Sequence, residues 1–173
     1  IITVEDPVEY RIGRINQVQI NNKIGLSFAS ILRTTLRQDP DIIMVGEMRD
    51  QETVDIGLRA ALTGHLVLST LHTNDAITSA MRLIDMGAPA YLVASSLRAI
   101  IAQRLVRRVC NDCRVPYLPD RQELSWLKYL GEEITDAQFS KGQGCTACNH
   151  TGYKGRVGIF ELLEMDDAMM DAL

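Results

Sequence analysis

Two acids, a histidine and four cysteines carry most of the chemistry open to this chain. Glu47 follows the apolar run Ile42-Ile43-Met44-Val45-Gly46, with Arg49 and Asp50 just beyond it. Glu5 closes a second short β-type run, Ile1 to Glu5, before Asp6 and Pro7. His65 and His72 bracket a third run, Leu66 to Leu71, with Thr73 and Asn74 beyond. An acid at the carboxyl end of a buried strand is the layout by which nucleotide hydrolases hold a metal ion or orient an attacking water. In open α/β sheets ligands bind along that same edge. If the strands are parallel, Glu5, Glu47 and His72 converge there, with Glu47 able to polarise a water and His72 to donate to a terminal phosphate. By itself the Glu47 stretch fits a core strand followed by a solvated charged loop equally well. A lone histidine at a strand end is more often structural.

The cysteines fall into two C-x-x-C pairs, Cys110 with Cys113 and Cys145 with Cys148. Four thiolates are the number a closed tetrahedral structural zinc site needs. The interval between the pairs, which holds Trp126 and Tyr129, is longer than in a compact ribbon, so a small subdomain must sit inside it. Disulfides are the competing reading and fit poorly in a chain without secretory features. Two copies of the motif and no thioredoxin-like context argue against a redox pair. His150 lies close, but a full set of cysteines leaves it no place as a ligand.

The elements that must position these groups follow from the apolar pattern. Ile42 to Val45, bounded by Pro40 and Gly46, reads as a fully buried strand of a parallel sheet. Ser27 caps a helix with Phe28, Ile31, Leu32 and Leu36 inward, while Arg33 and Arg37, four apart, share another face. Asp50 caps a helix carrying Val54, Leu58, Ala61 and Leu62, with Gly64 as its stop. Asn74 or Asp75 starts another, with Ile77, Ala80, Met81 and Ile84, closed by Gly87 and Pro89. A longer helix is predicted over roughly 90–105, with Leu92, Val93, Leu97, Ile100 and Ile101 inward. The alternation from Tyr10 to Ile20 predicts a pair of exposed antiparallel strands. Strands alternating with helices imply βαβ units and a parallel sheet covered on both faces. From Val106 the texture changes to a basic turn, the cysteine module, a strand-like run at 157–163 and the beginning of a helix at 166–173.

A net charge of −4 and an isoelectric point near 5.4 argue against a dedicated nucleic-acid binder. No apolar run reaches membrane-spanning length and no signal peptide is visible. The chain opens on Ile1 inside a strand-like run and stops at Leu173 without a cap, so both ends read as cuts in a longer protein. None of Lys23, Lys128, Lys141 or Lys154 follows a glycine, so the phosphate-binding loop G-x-x-x-x-G-K-S/T is absent. The chain alone is therefore expected to bind nucleotide poorly and to hydrolyse nothing.

Four segments, in order, resemble the C-terminal half of the secretion ATPases of type II secretion and type IV pilus assembly. Ile2-Thr3-Val4-Glu5-Asp6-Pro7-Val8-Glu9 resembles that family's aspartate box, and Asp41 to Asp50 its atypical Walker B. Thr63-Gly64-His65 through Leu71-His72-Thr73-Asn74 resembles its histidine box. The cysteine module followed by Thr151 to Arg156 resembles the zinc subdomain of its assembly branch. The resemblance implies an α/β, RecA-like core over 1–105, a zinc subdomain over 106–158 and the start of a helical part over 159–173. It further implies a hexameric ring with ATP and Mg²⁺ at subunit interfaces. Glu47 would position or activate the attacking water, Glu5 would act near metal and water, and His72 near the γ-phosphate. Arg33 and Arg37 would reach nucleotide from a neighbouring subunit, with His65 and Arg49 in support. The missing loop would lie upstream of Ile1. The stretch Arg14 to Gln19 looks closer to pilus-assembly members, including those for mannose-sensitive haemagglutinin pili, with type II secretion the near alternative. An inner-membrane platform protein is the expected partner, nucleic acid is not, and the place is the cytoplasmic face of the inner membrane. The isolated chain is expected to be a monomer or weak oligomer. The competing readings are a non-enzymatic zinc-stapled interaction domain and a nucleic-acid translocase with a zinc ribbon. The lack of aromatics interleaved with a basic patch counts against the latter.

Overall fold

A computed structural model describes residues 1–129 and 138–172. The chain divides into two compact units, Ile1–Ala102 with Phe160–Leu173, and Gln103–Ile159.

The first unit is built on four parallel strands, β1 (Ile2–Glu5), β2 (Asn16–Gln19), β3 (Ile42–Val45) and β4 (Leu66–Ser69), in the spatial order β2-β1-β3-β4. The two central strands are the β-branched runs, and Val4, Ile43 and Val45 are fully buried. Polar Asn16, Gln17 and Gln19 place β2 at an edge, where only one face need be apolar. The antiparallel pair expected over Tyr10–Ile20 is therefore not formed: one strand forms there, and it runs parallel to β1. A half-buried parallel edge strand alternates polar and apolar residues just as an exposed hairpin does, so the pattern could not separate them.

The helices cover this sheet. Ser27 caps α1 (Phe28–Thr35) in a reciprocal box with Ser30, and α1 buries Ala29, Ile31, Leu32 and Thr35. Asp50 caps α2 (Gln51–Leu62), accepting from the Thr53 amide at 2.8 Å and the Thr53 hydroxyl at 2.9 Å. Asp75 caps α3 (Ala76–Asp85), and α4 (Ala90–Ser96) follows Pro89. Leu32, Ile43, Val45, Val54, Leu58, Leu83, Leu92 and Val93 form one core, and Val4, Ile20 and Ile31 another. Asp50→Ala strips both Asp50 bonds and leaves the fully buried Thr53 hydroxyl without that acceptor. The expected cost is about 1–2 kcal/mol, read as a lower urea midpoint.

The helix expected to continue to Leu105 stops at Ser96. Leu97 and Arg98 turn the chain into β5 (Ala99–Val109), which forms a two-stranded sheet with β8 (Tyr153–Glu164). The spacing of Leu97, Ile100 and Ile101 satisfies a helical stripe, but Ile100, Ile101, Val106 and Val109 are β-branched and side-chain crowding favours the strand. After β8, α6 (Asp167–Ala172) is a short helix.

The second unit holds β6 (Arg114–Pro116) antiparallel to β7 (Ser140–Gly142), with α5 (Arg121–Tyr129) between them in sequence. Each cysteine pair sits on a 3₁₀ turn, Asn111–Cys113 and Thr146–Cys148. Gly142 and Gly152 meet backbone to backbone: a Cβ on Gly142 would lie 2.0 Å from the Gly152 carbonyl oxygen. Only glycine fits there.

Candidate functional site

Because β1, β3 and β4 are parallel, the residues after their carboxyl ends share one edge of the sheet. Gly46 lets the ends of β3 and β1 approach. Its amide donates to the Val4 carbonyl at 2.7 Å, and a Cβ there would lie 3.1 Å from that oxygen and 3.4 Å from the Glu5 Cα. Gly46→Ala must shift the backbone of the neighbouring buried strand by a few tenths of an ångström. We expect a loss of roughly 1–3 kcal/mol in denaturant unfolding.

Glu47 comes next and is buried, with 9% of its surface exposed. Its Oε2 accepts from Arg49 Nε and lies 3.0 Å from His72 Nε2. Arg49 foremost, and then His72, hold the Glu47 carboxyl below its ordinary value against the opposing effect of burial. His72 itself is exposed, and its short segment is tied down ahead of it. The Thr70 hydroxyl donates to the Gly46 carbonyl at 2.6 Å, and the Met48 amide donates to the Thr70 carbonyl at 3.2 Å. Behind it, the Thr73 and Ser79 hydroxyls share a hydrogen bond of 2.5 Å.

Glu5 stands on the neighbouring strand end. Its Oε1 accepts from Gln17 Nε2 at 3.0 Å and from the Thr3 hydroxyl. Gln17 also donates to the Tyr10 carbonyl and accepts from the Ile12 amide, so it fixes both Glu5 and the loop after it. Gln17 and Thr70 were not singled out from the sequence. The register that sets Thr3 beside Gln17 is the signal that finds the first of them.

The other expected site residues lie elsewhere. His65 sits at the opposite end of β4 from His72, its Nδ1 lying 3.0 Å from the Ala60 carbonyl and 3.2 Å from the Thr63 hydroxyl, where α2 stops. Arg33 pairs with Glu52 on the surface. Arg37, in the 3₁₀ turn Leu36–Gln38, is exposed and has no ion-pair or hydrogen-bond partner among the described residues. A cleft of about 500 Å³ lined by Ile2, Val18, Leu26, Ile31 and neighbours contains none of the acids, histidines or arginines named above.

In the second unit the four cysteine sulfurs lie within 4.8 Å of one another. Cys110–Cys145 and Cys113–Cys148 stand 3.9 Å apart and Cys145–Cys148 3.8 Å. Four sulfurs about 2.3 Å from a central zinc ion form a tetrahedron with edges of about 3.8 Å. No disulfide is formed. The amides of Cys145, Gly144 and Gly152 point at Cys148 or Cys113 sulfur at 3.2–3.3 Å. The Cys145 amide foremost pulls Cys148 down to about 6, while burial pushes Cys113 up to about 11. One thiolate forms readily here and another needs a cation beside it, which suits a metal cage.

A parallel α/β sheet with acids and a histidine at its carboxyl edge, in a chain that also carries a four-sulfur cluster, defines the class, and sequence comparison agrees. Residues 1–173 match the family profile described as type II/IV secretion system protein, and the chain belongs to that family. It is 53% identical over 171 residues to the type IV pilus assembly ATPase PilB of Thermus thermophilus, covering 99% of this chain and 19% of that protein. It is 50% identical over 175 residues to type II secretion system protein E of Aeromonas hydrophila, covering 100% of this chain and 34% of that protein. Its fold is similar to the crystal structure of the pilus retraction motor PilT with bound ADP. The TM-score is 0.68 at 34% identity, over 99% of this chain and 40% of that one. The chain thus spans about a fifth of the first of these curated relatives and about a third of the second. The α/β architecture expected from the resemblance is present, and no helix among the described residues is long and apolar enough to cross a membrane.

Proposed function

We propose that these residues form part of the nucleotide-hydrolysing domain of a ring-forming motor ATPase that powers pilus assembly or protein secretion. The observation that carries this reading is the contact of His72 and Arg49 with the Glu47 carboxylate at the open edge of a parallel sheet. Glu47 orients the attacking water, and His72 stands where it can turn from Glu47 toward a terminal phosphate. Glu5 commits one oxygen to Gln17 and Thr3 and keeps Oε2 for a hydrated cation. Mg²⁺, when bound with ATP, neutralises charge that develops on the phosphates. Arg37, exposed and without a partner among the described residues, would reach nucleotide on a neighbouring copy, and Arg33 would join it by releasing Glu52. Arg49 supports Glu47, and His65 supports the strand that leads to His72. Cys110, Cys113, Cys145 and Cys148 hold a structural zinc ion, which would fix two distant turns of the chain together.

In the cell such a motor acts at the cytoplasmic face of the inner membrane, against a platform protein of the pilus or secretion machine. The Arg14–Gln19 stretch favours pilus assembly, including the mannose-sensitive haemagglutinin type. Complementation of pilus-deficient and secretion-deficient strains separates the two branches. The whole reading is tested by ATP hydrolysis and light scattering of the complete parental chain. We expect ATP-dependent turnover by a hexamer, and none by residues 1–173 alone, which lack the phosphate-binding loop. A complete chain that neither hydrolyses ATP nor assembles would leave the zinc-stapled interaction domain as the function.

A further inference from the structure

Glu161 lies on β8, far in sequence from every residue given a role above. Its Oε2 accepts a hydrogen bond of 3.2 Å from the Ala76 amide, the first residue of α3. Ala76 is fully buried, and Asp75 already serves the Thr78 amide, so Glu161 satisfies a second of the orphan donors at that helix start. A carboxylate there is also favoured by the helix dipole. Glu161 and Ala76 belong to the same compact unit. The consequence is local. His72 lies four residues before Ala76, on a short span fixed ahead by Thr70 to Gly46 and behind by the start of α3. The ring is exposed and is oriented by its contact with Glu47 alone among the described residues. Its position therefore depends on where the two ends of its span are held.

We propose that Glu161 is a positioning residue for the reaction: by clamping the start of α3 it holds His72 against Glu47. This rests on the ATPase reading above. Glu161→Ala removes one of the two rear anchors and leaves the Thr73–Ser79 bond, while Glu161→Gln keeps an oxygen acceptor at the same place and restores most of the function.

The test uses the complete parental chain, with Glu161→Ala, Glu161→Gln, His72→Ala and the double variant Glu161→Ala/His72→Ala. Steady-state ATP hydrolysis is expected to show kcat falling roughly ten- to a hundredfold in Glu161→Ala, as for a catalytic group displaced by about an ångström. KM is expected to move less than about twofold, because binding is not what the anchor governs. In the His72→Ala background the same change should have almost no further effect on kcat, since both act through one group. Additive losses in the double variant, or a Glu161→Ala kcat within about twofold of the parent, overturn the proposal. Hydrogen exchange of the peptide covering 71–79, measured without nucleotide, keeps the two readings apart. Faster exchange in Glu161→Ala but not in Glu161→Gln supports the clamp even if the parent hydrolyses no ATP. Unchanged exchange in Glu161→Ala overturns the clamp even if the ATPase reading stands.

Discussion

Replacing Glu47 by glutamine in the complete parental chain is expected to lower ATP turnover by about two to four orders of magnitude while nucleotide binding changes little. The side chain keeps its size and can still face Arg49 and His72, so the sheet edge survives. What disappears is the negative charge that two donors hold on one oxygen, Oε2, and that on the proposed reading orients the attacking water. With Arg49 and His72 in place the carboxyl is held low, so at neutral pH it is fully charged and a weak base. On the proposed reading it would act by charge and orientation, and would gain basicity only if His72 or Arg49 turned away. Single-turnover kinetics and nucleotide affinity measured on the same variant check this. Equal loss of binding and turnover would assign Glu47 to ground-state binding instead.

The same contact gives a pH signature. A carboxyl whose folded-state value lies below its ordinary 4.5 adds stability that is fully present above that value. The contribution is lost as pH falls through the lowered folded-state value. The difference in melting temperature between the parent and Glu47→Gln should therefore be constant near neutral pH and shrink as acidification passes below the ordinary value and through the lowered one.

The second large effect belongs to the cysteine unit. We expect about one zinc ion per chain by metal analysis, from the four-thiolate cage. Removing it by chelation, or by Cys148→Ser or Cys110→Ser, should unfold residues 103–159. Among the described residues of that unit the buried hydrophobic side chains are Cys110 and Cys148 themselves, so no apolar core stands in reserve. Structural zinc in small cages contributes on the order of 10 kcal/mol to folding, more than a unit of this size draws from packing. Limited proteolysis is the check: cleavage should concentrate between Val106 and Gly155 in metal-free protein and recede when zinc returns. Full protection without metal would mean the cluster is not what holds the unit.

Much of this architecture could be read before the structure, and the exceptions share a cause. The central strands were legible because Ile42–Val45 is apolar on both faces and Ile2–Val4 is β-branched throughout. The starts of α1, α2 and α3 were legible because Ser27, Asp50 and Asp75 are caps with a local mechanism. Paired C-x-x-C spacing pointed to one cluster, which the sulfur distances bear out. Where periodicity was read alone it failed. A parallel edge strand and an exposed hairpin alternate alike at Asn16–Gln19, and helix and strand both satisfy Leu97, Ile100 and Ile101. The convergence of Glu47 and His72 followed from parallel topology. The side-chain company they keep did not, because Arg49 on Glu47, Gln17 on Glu5, Glu52 on Arg33 and Glu161 on Ala76 are settled by rotamers and by residues distant in sequence. The ranking of the two histidines, His72 toward the site and His65 in support, followed from the same topology. Four residues of strand carry one to the stop of a helix and the other to the open edge.

Beyond the paired strands β6 and β7, which leave the cluster and return to it, the chain makes an excursion between Pro116 and Ser140. For the folded state it is a closed loop pinned at its neck, and the entropy of closing such a loop grows only with the logarithm of its length. Doubling it would cost about 0.6 kcal/mol. Descendants of this chain can therefore lengthen, trim or replace that stretch at little thermodynamic penalty, while β1, β3 and β4 tolerate almost no change. The cage makes this the evolvable stretch of its own unit, where sequence has room to diverge while the sheet that holds Glu47 stays as it is.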